Sequence, residues 1–392
     1  MFQLPVNKKP PTTKYLWFCV SVYLCICVSE CLSVHRTYRP IWMRFCLFKI
    51  QMIEMGLLLG RRQVSIFNPG QKSICLSVCG TVAPEVRADF DKGVSSSVDA
   101  YCPHLGAHLA VGGAVRGDCI ECPFHRWRFG ADGALPSSSA APKGVSIKTW
   151  RTVEADGAVW IWYDAEGREP LWQLEDAPEL KTWRCRGRNE FIVGCHIQEI
   201  PENGADVAHL NAVHSSSLLT SLAEKYPILA NFIGTHHWTA NWQKGEGADS
   251  HTAVIQLTHD YKICKLSLMH LDVVVTQLGP GHVRLRISTP AGPLLIAQSV
   301  TPLRARRQRV AHRVFSPRRS APLAAVLNWA EARMIERDIV IWNNKKYISS
   351  PIYVKTDKSI KAFRSWFSQF YSEHSISFKE ASERTNIIWP QV

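Results

Sequence analysis

The sequence predicts an α+β protein in three parts: an apolar N-terminal segment, a small antiparallel β domain, and a larger domain that mixes strands with helices. Three observations carry this. Residues 15–34 are apolar with one charge, Glu30. Between residues 61 and 165, short β-rich runs (73–78, 145–150, 158–163) are broken by Gly and by the turns Ala131-Asp132-Gly133 and Ala155-Asp156-Gly157. Beyond 166, strand patterns at 253–257, 271–277 and 283–287 are followed by helical ones at 323–339 and 360–371. The expected division is 1–60, 61–165 and 166–392, and 392 residues suit two folded domains.

The N-terminal segment opens with polar residues that include Lys8, Lys9 and Lys14. The run 15–34 then approaches the ~20 residues that a membrane helix needs. It is read as a single-pass anchor, with a cleaved signal peptide and a buried core helix as the competing readings. Residues 41–60, apolar with Arg44, Lys49 and Glu54 interspersed, suit a membrane interface.

The β domain carries two mixed ligand pairs, Cys102-x-His104 and Cys122-x-x-His125, separated by the seventeen residues 105–121. Each pair supplies one thiolate and one imidazole. Two thiolates on one iron and two imidazoles on the other are the ligand set of a Rieske [2Fe–2S] centre. Pro103 and Pro123 stiffen the two loops. Gly106, Gly112 and Gly113 permit close backbone approach to the sulfurs. Tetrahedral zinc is the competing reading, and Cys119-x-x-Cys122 offers it a further thiol. Zinc modules, however, pair Cys with Cys and His with His in sequence. A thiolate cluster also calls for a reducing compartment, which favours the anchor over export.

The second half holds another constellation, Asp206-x2-His209-x4-His214, just after Glu199-Ile-Pro-Glu-Asn203. Pro201 suits a helix start, which would place Asp206 and His209 on one face. His214 falls off the helical pitch, where the helix should end. Two imidazoles and one carboxylate with open positions form the facial triad of non-haem Fe(II) sites. Such a site gives the cluster's electron a destination. Taken alone, two nearby histidines are more often ordinary structural residues. The third ligand is either Asp206 or Asp338, and spacing does not choose between them. The other histidines of this half, such as His236, His259, His282 and His312, read as structural or exposed.

Net charge is +13, partly from seven arginines within 304–319. Aromatics are not interleaved with them, so a nucleic-acid partner is not expected. A solvated face, or one meeting anionic lipid or an acidic redox partner, fits better. No Walker loop and no G-x-G-x-x-G after a strand occurs, so reducing equivalents are expected from a separate reductase, with NAD(P)H as the indirect donor. Thirteen cysteines show no even disulfide framework.

With both sites in view, the chain resembles the Rieske non-haem iron oxygenases, and within them the Neverland family of cholesterol 7-desaturases. The resemblance rests on Asp99-Ala-Tyr-Cys-Pro-His-Leu-Gly-Ala107, Gly117-Asp-Cys-Ile-Glu-Cys-Pro-Phe-His125, Glu199-Ile-Pro-Glu-Asn203 and Glu336-Arg-Asp-Ile-Val-Ile-Trp-Asn-Asn-Lys-Lys-Tyr-Ile-Ser349. It covers roughly residues 70–375. It implies a Rieske domain followed by a helix-grip catalytic domain, assembled as a homotrimer. It implies that Asp338 completes the mononuclear iron site with His209 and His214, and that Asp206 bridges the two metal centres. It further implies O2-dependent conversion of cholesterol to 7-dehydrocholesterol in steroid-hormone synthesis. The expected setting is the endoplasmic reticulum membrane, with the catalytic domain facing the cytoplasm. Three positions depart from the family pattern: Arg126 for its usual Gly, His108 for Asn, and Gly204 for Ala. Residues 35–70 and 304–319 match it poorly.

Two rival functions remain at the level of sequence. A steroid hydroxylase would use the same first hydrogen abstraction. A membrane-anchored Rieske electron carrier would hold one metal site only.

Overall fold

The structure is a computed structural model. It describes strands at residues 15–20, 74–77 and 85–89, and the chain over 95–136, 142–215, 234–263, 266–304, 306–346, 348, 350–373 and 375. The described residues form two compact units.

One unit runs to Trp150 and contains two small antiparallel sheets. The first joins β2 (Ile74–Ser77), β3 (Glu85–Asp89), β4 (Ser95–Asp99) and β8 (Thr149–Trp150). The second joins β5 (Ala114–Arg116), β6 (Cys119–Glu121) and β7 (Arg128–Gly130). A core of Val98, Ala100, Leu109, Ile120, Phe129 and Ile147 packs around the buried Cys102 and Cys122. The strand expected over 145–150 is shorter than its pattern. Only Thr149–Trp150 joins the sheet, while Ser146 makes a single bridge to Ala134.

The other unit contains β1 (Tyr15–Val20) and the chain from Arg151 on. β1 pairs with β10 (Ala158–Asp164), which pairs with β9 (Thr152–Ala155). The expected membrane helix over 15–34 is therefore corrected at its start. Tyr15–Val20, aromatic and β-branched, takes a strand, as such composition favours. The rest of that run, and the interfacial reading of 41–60, lie outside the described residues. Among the described residues, no helix is long and apolar enough to cross a membrane. The β9–β10 hairpin turns at Asp156 and Gly157, both with positive φ (53° and 66°), as an Asp-Gly hairpin turn requires.

The main sheet is antiparallel throughout, in the order β11 (Arg184–Val193), β17 (Arg307–Ser316), β16 (Leu294–Arg304), β15 (His282–Ser288), β14 (Leu266–Leu278), β13 (Thr252–Ile263), β12 (Thr235–Lys244). Side chains alternate across it: on β14, Leu271, Val273 and Val275 are buried while Asp272 and Val274 face outward. Among the described residues, four α-helices accompany the sheet: α1 (Glu199–Glu202), α2 (Val207–Val213), α3 (Ala321–Asn344) and α4 (Lys358–Phe367). α3 carries Pro322 in its first turn, where the missing N–H costs no helical bond. Its Leu323, Ala324 and Leu327 pack on Leu294, Ile296 and Val314 of the sheet.

The arginines of 304–319 do not form a uniformly solvated face. Arg309 and Arg313 are only 4% exposed, because β17 is covered on both faces, with every residue from Gln308 to Ser316 buried. Arg313 donates to the carbonyl of Asp156 at 3.1 Å. The Asp156 carboxylate in turn accepts from His282, Arg284 and the amide of Ala177. Burial pushes this carboxyl up, but its His282 and Arg284 partners outweigh burial and hold it far below the usual range.

Candidate metal centres

The Rieske-type site is built on two loops with one design. In the first, the amide of Cys102 donates to Ala107 O (2.9 Å) and Gly106 N donates to Cys102 O (2.9 Å). In the second, Cys122 N donates to Trp127 O (2.7 Å) and Arg126 N donates to Cys122 O (3.2 Å). The fourth residue after each cysteine is thus forced to positive φ: Gly106 at 71° and Arg126 at 62°. Glycine takes that conformation freely, whereas arginine is strained in it. Arg126 is held there by Glu121, whose buried carboxylate accepts from Arg126 (2.9 Å) and Arg128 (2.8 Å). Burial pushes the Glu121 carboxyl up, but the two guanidinium groups pull it net below its usual range. Gly113 has no alternative, since a Cβ there would stand 1.9 Å from Leu109 O.

These loops bury both sulfurs and leave both imidazoles exposed. The His104 and His125 rings meet edge-on at 4.5 Å, and His104 stacks on Trp127 at 4.5 Å. Burial, with the neighbouring Cys122 thiol, raises the Cys102 thiol. Two buried thiols side by side become compatible thiolates only with a cation between them. Among the described residues, the donors of three or more groups converge within 4.8 Å only at His209, His214 and Asp338. Two thiols and two imidazoles on paired loops suit a cluster of two irons.

The second centre stands on α1 and α2. The expected continuous helix is broken between them. A 3-10 turn spans Asn203–Ala205, and Asp206 leaves helical geometry (φ −103°, ψ 83°) to cap α2. Asp206 and His209 are therefore cap and third residue, not neighbours on one helical face. Asp206 Oδ1 accepts from the His209 amide at 2.9 Å, as an N-cap does. His209 Nδ1 lies 3.3 Å from the Asp206 carbonyl, not from its carboxylate. The helix ends at His214, as its pitch foretold.

Tertiary contacts fix this segment. Arg364 binds Glu202 through both carboxylate oxygens (2.6 and 2.9 Å). Ser359 donates to Ala205 O (2.7 Å), and Gln277 donates to Pro201 O (2.9 Å).

α3 then brings in Asp338, 5% exposed. Its Oδ1 lies 3.0 Å from His209 Nε2 and 3.1 Å from His214 Nε2, and the two Nε2 atoms are 3.2 Å apart. Three ligands about 2.1 Å from one ion at mutual right angles stand about 3.0 Å from each other. The observed triangle fits a facial triad. Burial lowers His209 and raises Asp338, yet their mutual attraction wins: His209 is raised and Asp338 lowered. Asp206 is thus not part of the triangle. Sequence reasoning gave no role to Asn203, whose amide lies 3.3 Å from His209 Nε2, nor to Glu121 and Trp127. Glu202 and Arg364, 162 positions apart, left no local pattern to find.

Residues 73–151 match the Rieske [2Fe-2S] domain, and residues 161–371 match the 3-ketosteroid 9alpha-hydroxylase C-terminal domain. "Cholesterol 7-desaturase nvd" of Bombyx mori is 62% identical over 294 residues, covering 74% of this chain. The chain belongs to the Neverland-type Rieske oxygenases. It spans 64% of the length of that Bombyx relative. The Drosophila melanogaster protein of the same name is 43% identical over 81% of this Neverland-type chain and 75% of its own length. Solved structures share the fold alone. NdmA of Pseudomonas putida with caffeine matches at TM-score 0.56 and 16% identity, over 76% of this chain and 85% of its own. Apo dicamba monooxygenase matches at TM-score 0.54 and 14% identity, over 79% of this chain and 94% of its own. As a Neverland-type oxygenase the protein uses a [2Fe–2S] cluster and a non-haem iron.

Proposed function

We propose that this protein is the oxygenase component that removes one hydrogen from each of carbons 7 and 8 of cholesterol. Cholesterol, O2, two electrons and two protons give 7-dehydrocholesterol and two waters. The electrons originate in NAD(P)H and arrive through a separate reductase, in keeping with the "oxygenase component" name of a Rhodococcus rhodochrous relative that is 27% identical. The observation that carries the reading is the His209–His214–Asp338 triangle in a chain that also matches the Rieske domain. A simple electron carrier has no use for it.

In this reading Cys102, Cys122, His104 and His125 hold the cluster, while His209, His214 and Asp338 hold the iron. When bound, the cluster supplies electrons singly and the iron supplies O2 chemistry. The chain's own residues position these groups. The Asp206 carbonyl sets the ring orientation of His209, and Asp206 Oδ1 fixes the start of α2. Asp206 Oδ2 accepts no hydrogen bond among the described residues. In a homotrimer it is free to meet a histidine N–H of a neighbouring subunit. Cholesterol resides in membranes, so the enzyme is expected to act at a membrane surface. Co-sedimentation with cholesterol-containing vesicles checks that point.

The test is incubation of the metal-loaded protein with cholesterol, a reductase, NAD(P)H and O2, followed by mass analysis of the sterol. Loss of two hydrogens supports desaturation. Gain of one oxygen would establish the second reading, a hydroxylase, which the 3-ketosteroid 9alpha-hydroxylase domain match favours. No product would overturn both.

A further inference from the structure

The inner face of β12 and β13 carries an aromatic wall with one polar pole. His236, Trp238, His259 and Tyr261 lie on that face, with His236 opposite Tyr261 and Trp238 opposite His259. Their rings pack together: Trp238 stacks on His259 at 4.0 Å, His236 stacks on His259 at 4.9 Å, and His236 meets Tyr261 at a tilt at 4.9 Å. The wall adjoins the triad. The amide of His236 donates to Ser215 O (2.8 Å), one residue beyond His214, and Trp238 Nε1 donates to His214 O (3.4 Å).

Within the wall, His236 Nδ1 and His259 Nε2 share a hydrogen bond at 2.7 Å. His259 is 3% exposed, and its other nitrogen is buried without a partner. Burial lowers both imidazoles, His259 to about 4, so both are neutral near pH 7. The shared bond therefore couples the two tautomers, one ring donating and the other accepting, and fixes the ring plane of His236. Its Nε2 has no partner among the described residues, and the residue is only half-buried. A preset imidazole nitrogen at the edge of a flat apolar wall suits a flat, apolar ligand with one hydroxyl.

We infer that His236 binds the 3-hydroxyl of the sterol, and that His259 is the positioning residue that presents it. This rests on the proposed sterol substrate. Carbons 3 and 7 lie on adjacent rings of one rigid skeleton, so holding the hydroxyl at His236 fixes which carbons face the triad. A site built to hydrogen-bond a hydroxyl discriminates against the analogue that lacks it.

The experiment compares cholesterol with cholest-5-ene, its 3-deoxy analogue, by quenching of tryptophan fluorescence, which needs no turnover. Wild-type protein should bind cholesterol about tenfold more tightly. His236→Phe keeps the stacked ring. It should bind the two within about twofold of each other, with affinity for cholest-5-ene unchanged. His259→Leu leaves His236 present but unanchored, and should lower the discrimination at least threefold. Either variant discriminating as well as wild type overturns the inference. So does a wild type that does not discriminate. If His236→Phe fails to fold, shown by loss of the visible cluster absorption, His259→Leu decides. Wild-type protein that desaturates cholesterol while both variants keep full discrimination sinks this inference alone. Wild-type protein that neither binds nor converts either sterol sinks the proposed function with it.

Discussion

The loops at Cys102 and Cys122 are closed by their own backbone, each with one bond to the fifth residue and one from the fourth. The segment holding His209 and His214 closes differently. It is broken at Asp206 and pinned by Arg364, Ser359 and Gln277 from other elements. One candidate centre buries its sulfurs and exposes its imidazoles, while the other nearly buries all three ligands. Self-closed loops can travel as a motif. A site pinned from outside depends on the whole sheet-and-helix unit, and its third ligand arrives 129 positions after the first.

The most severe break separates the two centres by single substitutions. Asp338→Ala removes the only carboxylate of the triangle. Turnover should fall by about 100-fold or more, and iron in excess of the cluster's should be lost. The visible cluster spectrum should persist. Cys122→Ala should do the reverse, abolishing the red-brown colour and the EPR signal of the reduced cluster, while Cys119→Ala leaves both. An Asp338→Ala protein with wild-type iron content would place the carboxylate elsewhere.

Asp206→Asn sharpens the contrast. Asparagine caps a helix as well as aspartate does, so α2 and both metal contents should survive. If the free carboxylate oxygen serves a neighbouring subunit, turnover falls by about 100-fold with folding intact. A near-normal rate in fully metal-loaded protein would confine Asp206 to capping.

Arg364→Leu tests the outside pinning. It leaves Glu202, 6% exposed, with Lys345 at 3.9 Å as its nearest cation. Losing one partner of a buried pair costs about 3–5 kcal/mol. Thermal unfolding should move down by roughly 6–20 °C at about 2–4 °C per kcal/mol for a unit of this size. The cluster loops, which share none of these contacts, should keep their absorption at temperatures where the iron site has failed. Simultaneous loss of both signals would show that the two centres unfold as one.

The same contrast explains what the sequence made legible. Cys102-x-His104 and Cys122-x-x-His125 were readable because each loop contains its own reason for existing. His209 and His214 were readable from spacing, and the helix end at His214 from pitch. Asp338 was one of two open carboxylates until family likeness chose it. A residue on a long helix acquires that role only through packing. The break at Asp206 was missed because the run Pro201–His214 offers continuous helical spacing, and its cap at Asp206 competes with that pattern. The burial of Arg309 and Arg313 was missed because charge argued for solvent, whereas β17 lies between β11 and β16 with both of its faces covered. Tyr15–Val20 was apolar enough for a helix. Its aromatic and β-branched content suited an edge strand on β10 equally well.

The smallest effect, and the finest test of the comparison, lies within the cluster site itself. Gly106 and Arg126 occupy equivalent positions with φ of 71° and 62°. A Cβ at Gly106 meets nothing within 4 Å, so Gly106→Ala isolates backbone strain. It should cost about 1–2 kcal/mol. Arg126→Gly relieves the same strain in the second loop. It also gives up an ion pair to Glu121 from a side chain 73% exposed, which contributes about 0–1 kcal/mol. Glu121 keeps Arg128 at 2.8 Å, so its buried charge is not stranded. The two substitutions should therefore have opposite signs: Gly106→Ala destabilising, Arg126→Gly neutral to stabilising by about 1 kcal/mol. Denaturant unfolding followed by the cluster's absorption measures both. If Arg126→Gly instead destabilises by as much as Gly106→Ala, the Glu121 pair outweighs the strain, and the second loop is held by charge where the first is held by glycine.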